Sequence, residues 1–344
     1  MKNHHASTFP GRVCILGAGA WGTTLAILAA ESGQAVTLIA HTAASADFMR
    51  AHRRHPTSLA GVAIPSSVEL VHAAEISRID AGALVMAIPA QKLRASIVDV
   101  SDAISGASIL SAVKGLEVES LLRPSAVIRA VLGSGTAVAA LSGPNLSGEI
   151  AAGHPATTVI ASDVDGVAEE FASIFHSQRF RVYQSDDLIG VELGGALKNI
   201  IAIGAGIADG MDAGDNAKAA FMTRGIAEIA RLGIACGAQP LTFAGLSGIG
   251  DLIATCSSPH SRNHRVGVAL ANGKGLDDIV GSMHEVAEGV ATTRAARALG
   301  LSLKVELPIV EEMHRVLFEG VSPRDAIVRL MAREPKHERR ELGP

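Results

Sequence analysis

The 344-residue sequence predicts an α/β fold, a doubly wound parallel sheet, followed by an all-α domain. Three observations predict it. Short apolar runs alternate with helically spaced stretches over roughly the first half. A glycine-rich turn joins the first run to the first helix. After Ser185 nearly every stretch repeats its apolar residues at three- and four-residue steps.

Taken in order, Met1 to Pro10 is polar and aperiodic, a leader expected to be disordered. Arg12 to Leu16 is an apolar run suited to a buried parallel strand. Gly17-Ala18-Gly19-Ala20-Trp21-Gly22 follows, and Thr23 to Glu31 reads as a helix. Between strand and helix, GxGxxG has a mechanism. Gly17 permits the tight turn, Gly19 lets backbone approach a pyrophosphate, and Gly22 lets helix and strand pack closely. A second strand, Ala35 to Ala40, comes at the distance a Rossmann-type dinucleotide domain requires. An acid at its end would hold the ribose hydroxyls of NAD. Here His41-Thr42 stands there, with no acid until Asp47. His41 tolerates a 2'-phosphate, so NADP is permitted beside NAD and is favoured. His52, Arg53, Arg54 and His55 form a basic cluster that faces a phosphate or lies solvated in a loop.

Ala83 to Ile88, Ala107 to Val113 and Thr136 to Leu141 are further strands. They end in Pro89-Ala90-Gln91, Lys114-Gly115 and Ser142-Gly143-Pro144-Asn145. Helical spacing marks Gln91 to Ala103, Ser120 to Leu132 and Val164 to His176. Thr157 to Ala161 and Phe180 to Tyr183 complete the strands. Ligands of open α/β sheets sit beyond the carboxyl ends of the strands. Lys114 is therefore placed to meet an anion, or it is a surface lysine beside a turn. The division expected is a dinucleotide-binding domain over 11–186 and an all-helical substrate and catalytic domain over 187–344.

The helical half is expected over Leu188–Ala208, Asn216–Gly237, Arg262–Asn272, Glu288–Leu299, Leu307–Glu319 and Ser322–Arg333. Its first helix carries a lone Lys198 beside Asn199 among Leu193, Leu197, Ile200 and Ile201. A buried ammonium needs a partner or a task; the alternative is a lysine snorkelling to the surface. Gly194 and Gly195, one turn earlier, each cost roughly 1 kcal/mol of helix propensity. That cost is understandable if something must approach the backbone, and cofactor and substrate are the expected visitors. Asp251, set among glycines in Gly245 to Leu252, is a fixed carboxylate that can pair with Lys198, or a helix cap. The aspartates in Asp209 to Asn216 lack the spacing of a calcium loop and read as a capping turn, with Asp215 at the start of the next helix. Ser261 reads as an N-cap with Arg262 and Asn263 in the first turn. Amides, dipole and guanidinium there suit a small phosphate ester, unless the arginine is merely solvated.

Composition bounds the remaining classes. Net charge is -4, against a polyanion held by bulk electrostatics, so no nucleic-acid partner is expected. Cys14, Cys236 and Cys256 are few, distant and without CxxC spacing, as for reduced cytoplasmic thiols and no metal site. Val13–Ala30 and Ala130–Gly148 are uncharged, but glycines and Pro144 interrupt them, so no membrane span is expected.

From Arg12 onward the chain resembles the bacterial NAD(P)-dependent glycerol-3-phosphate dehydrogenase family. The stretches that carry the resemblance are GAGAWGTTLA, IPAQ, VKGLE, LSGPN, ELGGALKNIIAIGAGIADG, GDNAKAAFMTRG, TFAGLSGIGDLIATC, SRNHRVG and VAEGVATT. The resemblance implies interconversion of dihydroxyacetone phosphate and NAD(P)H with sn-glycerol 3-phosphate and NAD(P)+, supplying the phospholipid backbone. It implies that Lys198 is catalytic with Asp251 orienting it. It implies a small phosphorylated three-carbon substrate touched by Lys114, Gly143, Asn145, Lys198, Asp251, Ser261, Arg262 and Asn263. Ala20, Trp21, His41, Lys114, Ser147, Arg262, Val286 and Glu288 would line the cofactor with the three glycines. The chain departs from the family pattern at Ala20, His41, Asn145 and Ser147. A homodimer is compatible with the chain. Two rivals share this architecture: a β-hydroxyacid dehydrogenase with a non-phosphorylated carboxylate substrate, and a non-catalytic nucleotide sensor.

Overall fold

A computed structural model describes residues 11–76, 82–101, 106–283 and 285–334. The polar leader expected at 1–10 lies outside them, as does the end of the helix expected over Gln91–Ala103. Cα packing divides the chain into two compact units. One comprises residues 1–113, 124–141 and 145–188; the other comprises 114–123, 142–144 and 189–344. Two short segments from strand ends thus belong with the helical unit rather than with the sheet that precedes them. The buried carboxylate of Glu192 pairs with Arg123 and holds the first of these segments to the helical unit.

The first unit is built on an eight-stranded sheet. Its strands are β1 (Arg12–Leu16), β2 (Ala35–Ala40), β3 (Val68–His72), β4 (Ala83–Met86), β5 (Ser108–Ser111), β6 (Val138–Ser142), β7 (Ala156–Ser162) and β8 (Phe180–Ser185). The spatial order is β3-β2-β1-β4-β5-β6-β7-β8. Pairing is parallel from β3 through β6 and between β7 and β8, with Ile15 opposite Leu38 on one side and Val85 on the other. Those three side chains are wholly buried, as uninterrupted apolar runs of a sheet covered on both faces should be. The covering helices are α1 (Ala20–Glu31), α2 (Ala43–His52), α3 (Leu93–Val100), α4 (Pro124–Leu132), α5 (Ser147–Ala151) and α6 (Val167–Phe175). The chain reverses direction across the sheet between β1 and β4, the switch point where such sheets bind ligands.

Several expectations are corrected. β3, α2 and α5 were not anticipated; each is short or weakly periodic. The helix expected from Ser120 begins at Pro124, where the missing amide hydrogen is harmless. Two members of the basic cluster are engaged within the chain. Arg53, with φ of 50°, ends α2 and donates to the carbonyls of Ile64, Pro65 and Val68. His52 stacks on Phe48 at 4.3 Å.

The second unit contains α7 (Leu188–Gly210), α8 (Asp215–Ala235), α9 (Asp251–Ser257), α10 (Arg262–Ala271), α11 (Leu276–Gly281), α12 (Glu288–Leu303), α13 (Pro308–Phe318) and α14 (Pro323–Met331). The short α9 and α11 escaped the periodicity argument because neither completes two full turns. α8 starts at Asp215, as expected; Gly214 holds the N-cap position, and the Asp215 carboxylate sits in the first turn, where the helix dipole favours it. α7 is long and apolar enough to cross a membrane, yet 94% of its apolar window is buried inside the protein. Leu193, Leu197, Ile200 and Ile201 lie in the core of this unit. Its apolarity is that of a central helix.

Candidate active site

In the sheet unit the switch point is made of backbone. Gly17, at φ of 109°, turns the chain so closely under β4 that a Cβ would lie 2.4 Å from the Ala87 carbonyl oxygen. A Cβ on Gly22 would lie 1.8 Å from the Gly17 carbonyl oxygen. One on Gly19 would meet nothing within 4 Å, so that face is open. Gly19 is the N-cap of α1, no side chain caps it, and no acid occupies the first turn. Unsatisfied amides and the positive helix end therefore face open space, as an anion requires. The buried Nε1 of Trp21 and Oδ1 of Asn145 have no hydrogen-bond partner among the described residues. Asn145 Nδ2 donates to Thr158 Oγ1 at 3.2 Å. Open backbone, an uncapped helix and a spare donor and acceptor fit a dinucleotide. His41 is exposed just past β2, and its carbonyl is 3.2 Å from His72 Nε2. Ser147 opens α5, and its carbonyl accepts from Thr24 Oγ1.

In the helical unit the site is made of side chains. Lys198 is 6% exposed and does not snorkel. Its Nζ donates to Asp251 Oδ1 at 2.7 Å and to Thr255 Oγ1. The other carboxylate oxygen, Oδ2, receives Lys114 Nζ at 2.6 Å. Lys114 Nζ also donates to the Gly143 carbonyl at 2.9 Å. Two ammoniums thus share one carboxylate, leaving one positive charge uncompensated in a mostly buried cluster. Burial pushes Lys198 down to about 8, against the pull of Asp251 and with the push of Lys114. Burial also pushes Asp251 up, but Lys114 and Lys198 outweigh it and hold the carboxyl below its ordinary value. The amine is a proton donor near neutral pH and a proton acceptor just above it, which is the range general acid–base chemistry needs.

The glycines before Lys198 serve a different purpose from the one expected. A Cβ on Gly194 would lie 2.5 Å from the Ser247 carbonyl oxygen, and one on Gly195 would lie 2.3 Å from Ser142 Oγ. The chain itself, not a ligand, uses that room. The close approach seats the turn leading to Asp251 and the 142–144 segment directly on α7.

Asp251 opens α9 behind a π-type turn, Leu246–Gly250, so its carboxylate is not the helix cap. Sequence reasoning missed Thr255, although it stands four residues after Asp251, on the same helical face. Ser261 caps α10 by accepting from the His264 amide at 3.3 Å. Arg262 is partly exposed, with Nη1 3.7 Å from Glu285. Asn263 is 7% exposed and turns inward: Nδ2 donates to Asn199 Oδ1 at 2.9 Å, and Oδ1 accepts from the Gly289 amide at 2.9 Å. Glu288 opens α12, and Val286 just before it is exposed. The structure therefore joins Lys114, Gly143, Lys198 and Asp251 in one hydrogen-bonded cluster, while Asn145 belongs to the sheet unit.

Comparison with known proteins agrees with both halves. The sequence model for the N-terminus of NAD-dependent glycerol-3-phosphate dehydrogenase matches residues 12–168, and that for its C-terminus matches 187–328. The chain is 46% identical to the NAD(P)+ glycerol-3-phosphate dehydrogenase of Chlorobium luteolum, over 95% of this chain and 99% of that one. It is 45% identical to a protein of the same name from Salinibacter ruber, over 95% of this chain and 96% of that one. The crystal structure of glycerol-3-phosphate dehydrogenase from Coxiella burnetii superposes with a TM-score of 0.90 at 34% identity, covering 94% of this chain and 100% of that one. The glycine turn and Lys114 fall inside the first matched region, Lys198 and Asp251 inside the second, and all carry the same assignment: the chain belongs to the NAD-dependent glycerol-3-phosphate dehydrogenase family.

Proposed function

We propose that the protein catalyses the reversible reduction of dihydroxyacetone phosphate to sn-glycerol 3-phosphate with NADPH or NADH, supplying the backbone of glycerophospholipids. The observation that carries the reading is the cluster of Lys198, Asp251 and Lys114, with Lys198 lowered to about 8 by burial. Residues 11–186 serve as the dinucleotide-binding domain and 187–344 as the substrate and catalytic domain. Gly17, Gly19 and Gly22 bring backbone up to the pyrophosphate, with Ala20 and Trp21 in the first turn of α1. His41, Ser147, Val286 and Glu288 complete the cofactor contacts. The nicotinamide cofactor, when bound, supplies the reducing equivalent at the substrate C2.

Lys198 as ammonium polarises the C2 carbonyl oxygen and gives it a proton. Asp251 fixes the direction of Nζ, and Thr255 holds it from a second side. Lys114 keeps Asp251 ionised and adds a cation for the anionic substrate. Arg262 and Asn263, at the amino end of α10 with Ser261, hold the phosphate. Holding the phosphate away from C2 spends binding energy on orientation. Gly143 and Asn145 close the substrate contacts. No disulfide joins Cys14, Cys236 and Cys256, as suits a reducing cytoplasm; the small phosphate ester as partner and a homodimer belong to the same proposal.

The test is nicotinamide absorbance with dihydroxyacetone phosphate and each reduced cofactor in turn. Oxidation of at least one cofactor, dependent on the phosphorylated ketone, is the expected outcome. Tight NADPH binding without turnover on that ketone would overturn the reading.

A further inference from the structure

Residues 114–123 form a strap that leaves the sheet unit after Val113 and returns to it at Pro124. Between those points it is fastened to the helical unit. At its start Lys114 Nζ donates to Asp251 Oδ2 at 2.6 Å and to the Gly143 carbonyl at 2.9 Å. Leu116 lies wholly buried in the core of the helical unit, and Val118 and Leu121 pack against that core. At its end Arg123 Nη1 pairs with Oε2 of Glu192, a carboxylate only 1% exposed. A turn closes the middle: the Leu121 amide donates to the Glu117 carbonyl at 2.9 Å, and the Glu117 amide to the Leu122 carbonyl at 3.0 Å. Leu121 holds a φ of 62°, in the region that favours glycine. Such strain persists where the surroundings over-determine the backbone.

Both ends of the strap meet α7. Glu192, Gly195 and Lys198 follow one another at three-residue steps and share a face of that helix. A Cβ on Gly195 would lie 3.6 Å from Lys114 Cγ, so the stem of Lys114 crosses α7 at that glycine. Arg123 is bound about 4.5 Å earlier along the axis, and Lys198 stands as far beyond. A buried ion pair is a poor source of stability, because desolvating both charges offsets most of their attraction. What it adds is direction: a guanidinium fork meets a carboxylate in one register. A slip of one residue would carry Lys114 about 3.5 Å and break both of its hydrogen bonds.

We infer that Arg123 and Glu192 are positioning residues: their ion pair fixes the register of the 114–123 strap and so keeps the Lys114 ammonium on Asp251. The inference rests on the reading under Proposed function for its kinetic arm alone.

The first test needs no turnover. Lysines are acetylated with N-hydroxysuccinimide acetate and read by mass spectrometry. Lys218 is the internal control: its side chain is 18% exposed, as is that of Lys114, and it too gives its ammonium to a carboxylate, Asp209, at 2.6 Å. In Glu192→Gln, Lys114 reacts about threefold faster or more, while Lys218 keeps the parent rate. An unchanged rate at Lys114 overturns the inference. So does an equal rise at both lysines, which is general loosening. If Glu192→Gln does not fold, Arg123→Met is read in its place by the same two lysines.

The second test is a pH profile, which loosening would not move. Facing Lys198 are Asp251 and Cys256 from α9 and Lys114 from the strap. Burial pushes Cys256 up to about 12, so it carries no charge near neutral pH. Lys114 pushes Lys198 down, so its release moves the high-pH limb of ketone reduction upward. Glu192→Gln takes a negative charge off α7, which by itself moves the limb downward; an upward shift therefore reports the lysine. Lys114→Ala gives the reference shift, and adding Glu192→Gln to it moves the limb no further up. A limb that stays in place or falls in Glu192→Gln alone overturns the inference. Failure of the parent to reduce dihydroxyacetone phosphate sinks the functional reading and leaves the acetylation rates to decide this one.

Discussion

The two units build their ligand ends from different materials. The sheet unit presents backbone: a turn at Gly17, a flat face at Gly19, and the uncapped start of α1. The helical unit presents side chains: Lys198 from α7, Asp251 and Thr255 from α9, and Lys114 from a segment far upstream. Backbone gives a fixed positive surface that takes any suitably shaped anion and has nothing to titrate. Side chains give a tunable proton, but each has to be desolvated and paired before it is useful. The difference teaches where each half is fragile. The first fails when a Cβ is added. The second fails when a charge is removed.

The largest effect expected is on the side-chain half. Lys198→Ala lowers kcat by about a thousandfold or more, because it removes the group that gives the C2 oxygen its proton. Nicotinamide fluorescence titration finds cofactor affinity nearly unchanged, since that surface is backbone. Near-normal turnover would take the lysine out of the chemistry. The same lysine sets a pH dependence. Ketone reduction needs the ammonium, so kcat/KM falls as pH rises through about 8, and alcohol oxidation rises through the same region. Asp251→Asn removes the carboxylate that raises Lys198, so both limbs move to lower pH. Limbs that stay in place in a pH–rate profile would separate Asp251 from the lysine.

Arg262→Ala comes next: KM for dihydroxyacetone phosphate rises about a hundredfold while kcat changes little. An unchanged KM puts the phosphate elsewhere.

The backbone half is sharpened by a pair of glycine variants. Gly22→Ala forces a Cβ against the Gly17 carbonyl and destabilises the sheet unit by about 3 kcal/mol, read by denaturant unfolding. Gly19→Ala meets no protein atom, so stability holds and only cofactor affinity drops. Equal stability losses in the two would erase the distinction between a packing glycine and a ligand glycine.

The smallest effect concerns a buried carboxylate outside the cluster. Glu228 of α8 accepts from the Ile309 and Val310 amides at the start of α13, and burial pushes it up to about 7. A carboxyl raised on folding holds its proton more tightly in the native state. Its contribution is present below pH 4.5 and is lost as pH rises from there to about 7. Glu228→Gln has no proton to lose, so it removes about 1–3 kcal/mol of that decline. Thermal unfolding at pH 5 and pH 8 measures it, and an unaltered difference between the two would clear Glu228 of the effect.

The sequence by itself determined what is local. A strand, three spaced glycines and a helix lie within about one supersecondary unit, so the dinucleotide turn was legible from one short stretch. The central helix around Lys198 was legible from its period, and Ser261 as a cap from its neighbours. Asp251 was legible as a possible partner of Lys198, while Lys114 stood out by itself. Only the tertiary structure decided that both lysines share a single aspartate, because residues 114, 198 and 251 meet through folding and not through spacing. It also decided that Gly194 and Gly195 admit the chain rather than a ligand, and that Asn263 turns inward. A glycine in sequence says that something comes close, but the identity of what comes close is a long-range contact, and no local pattern encodes it.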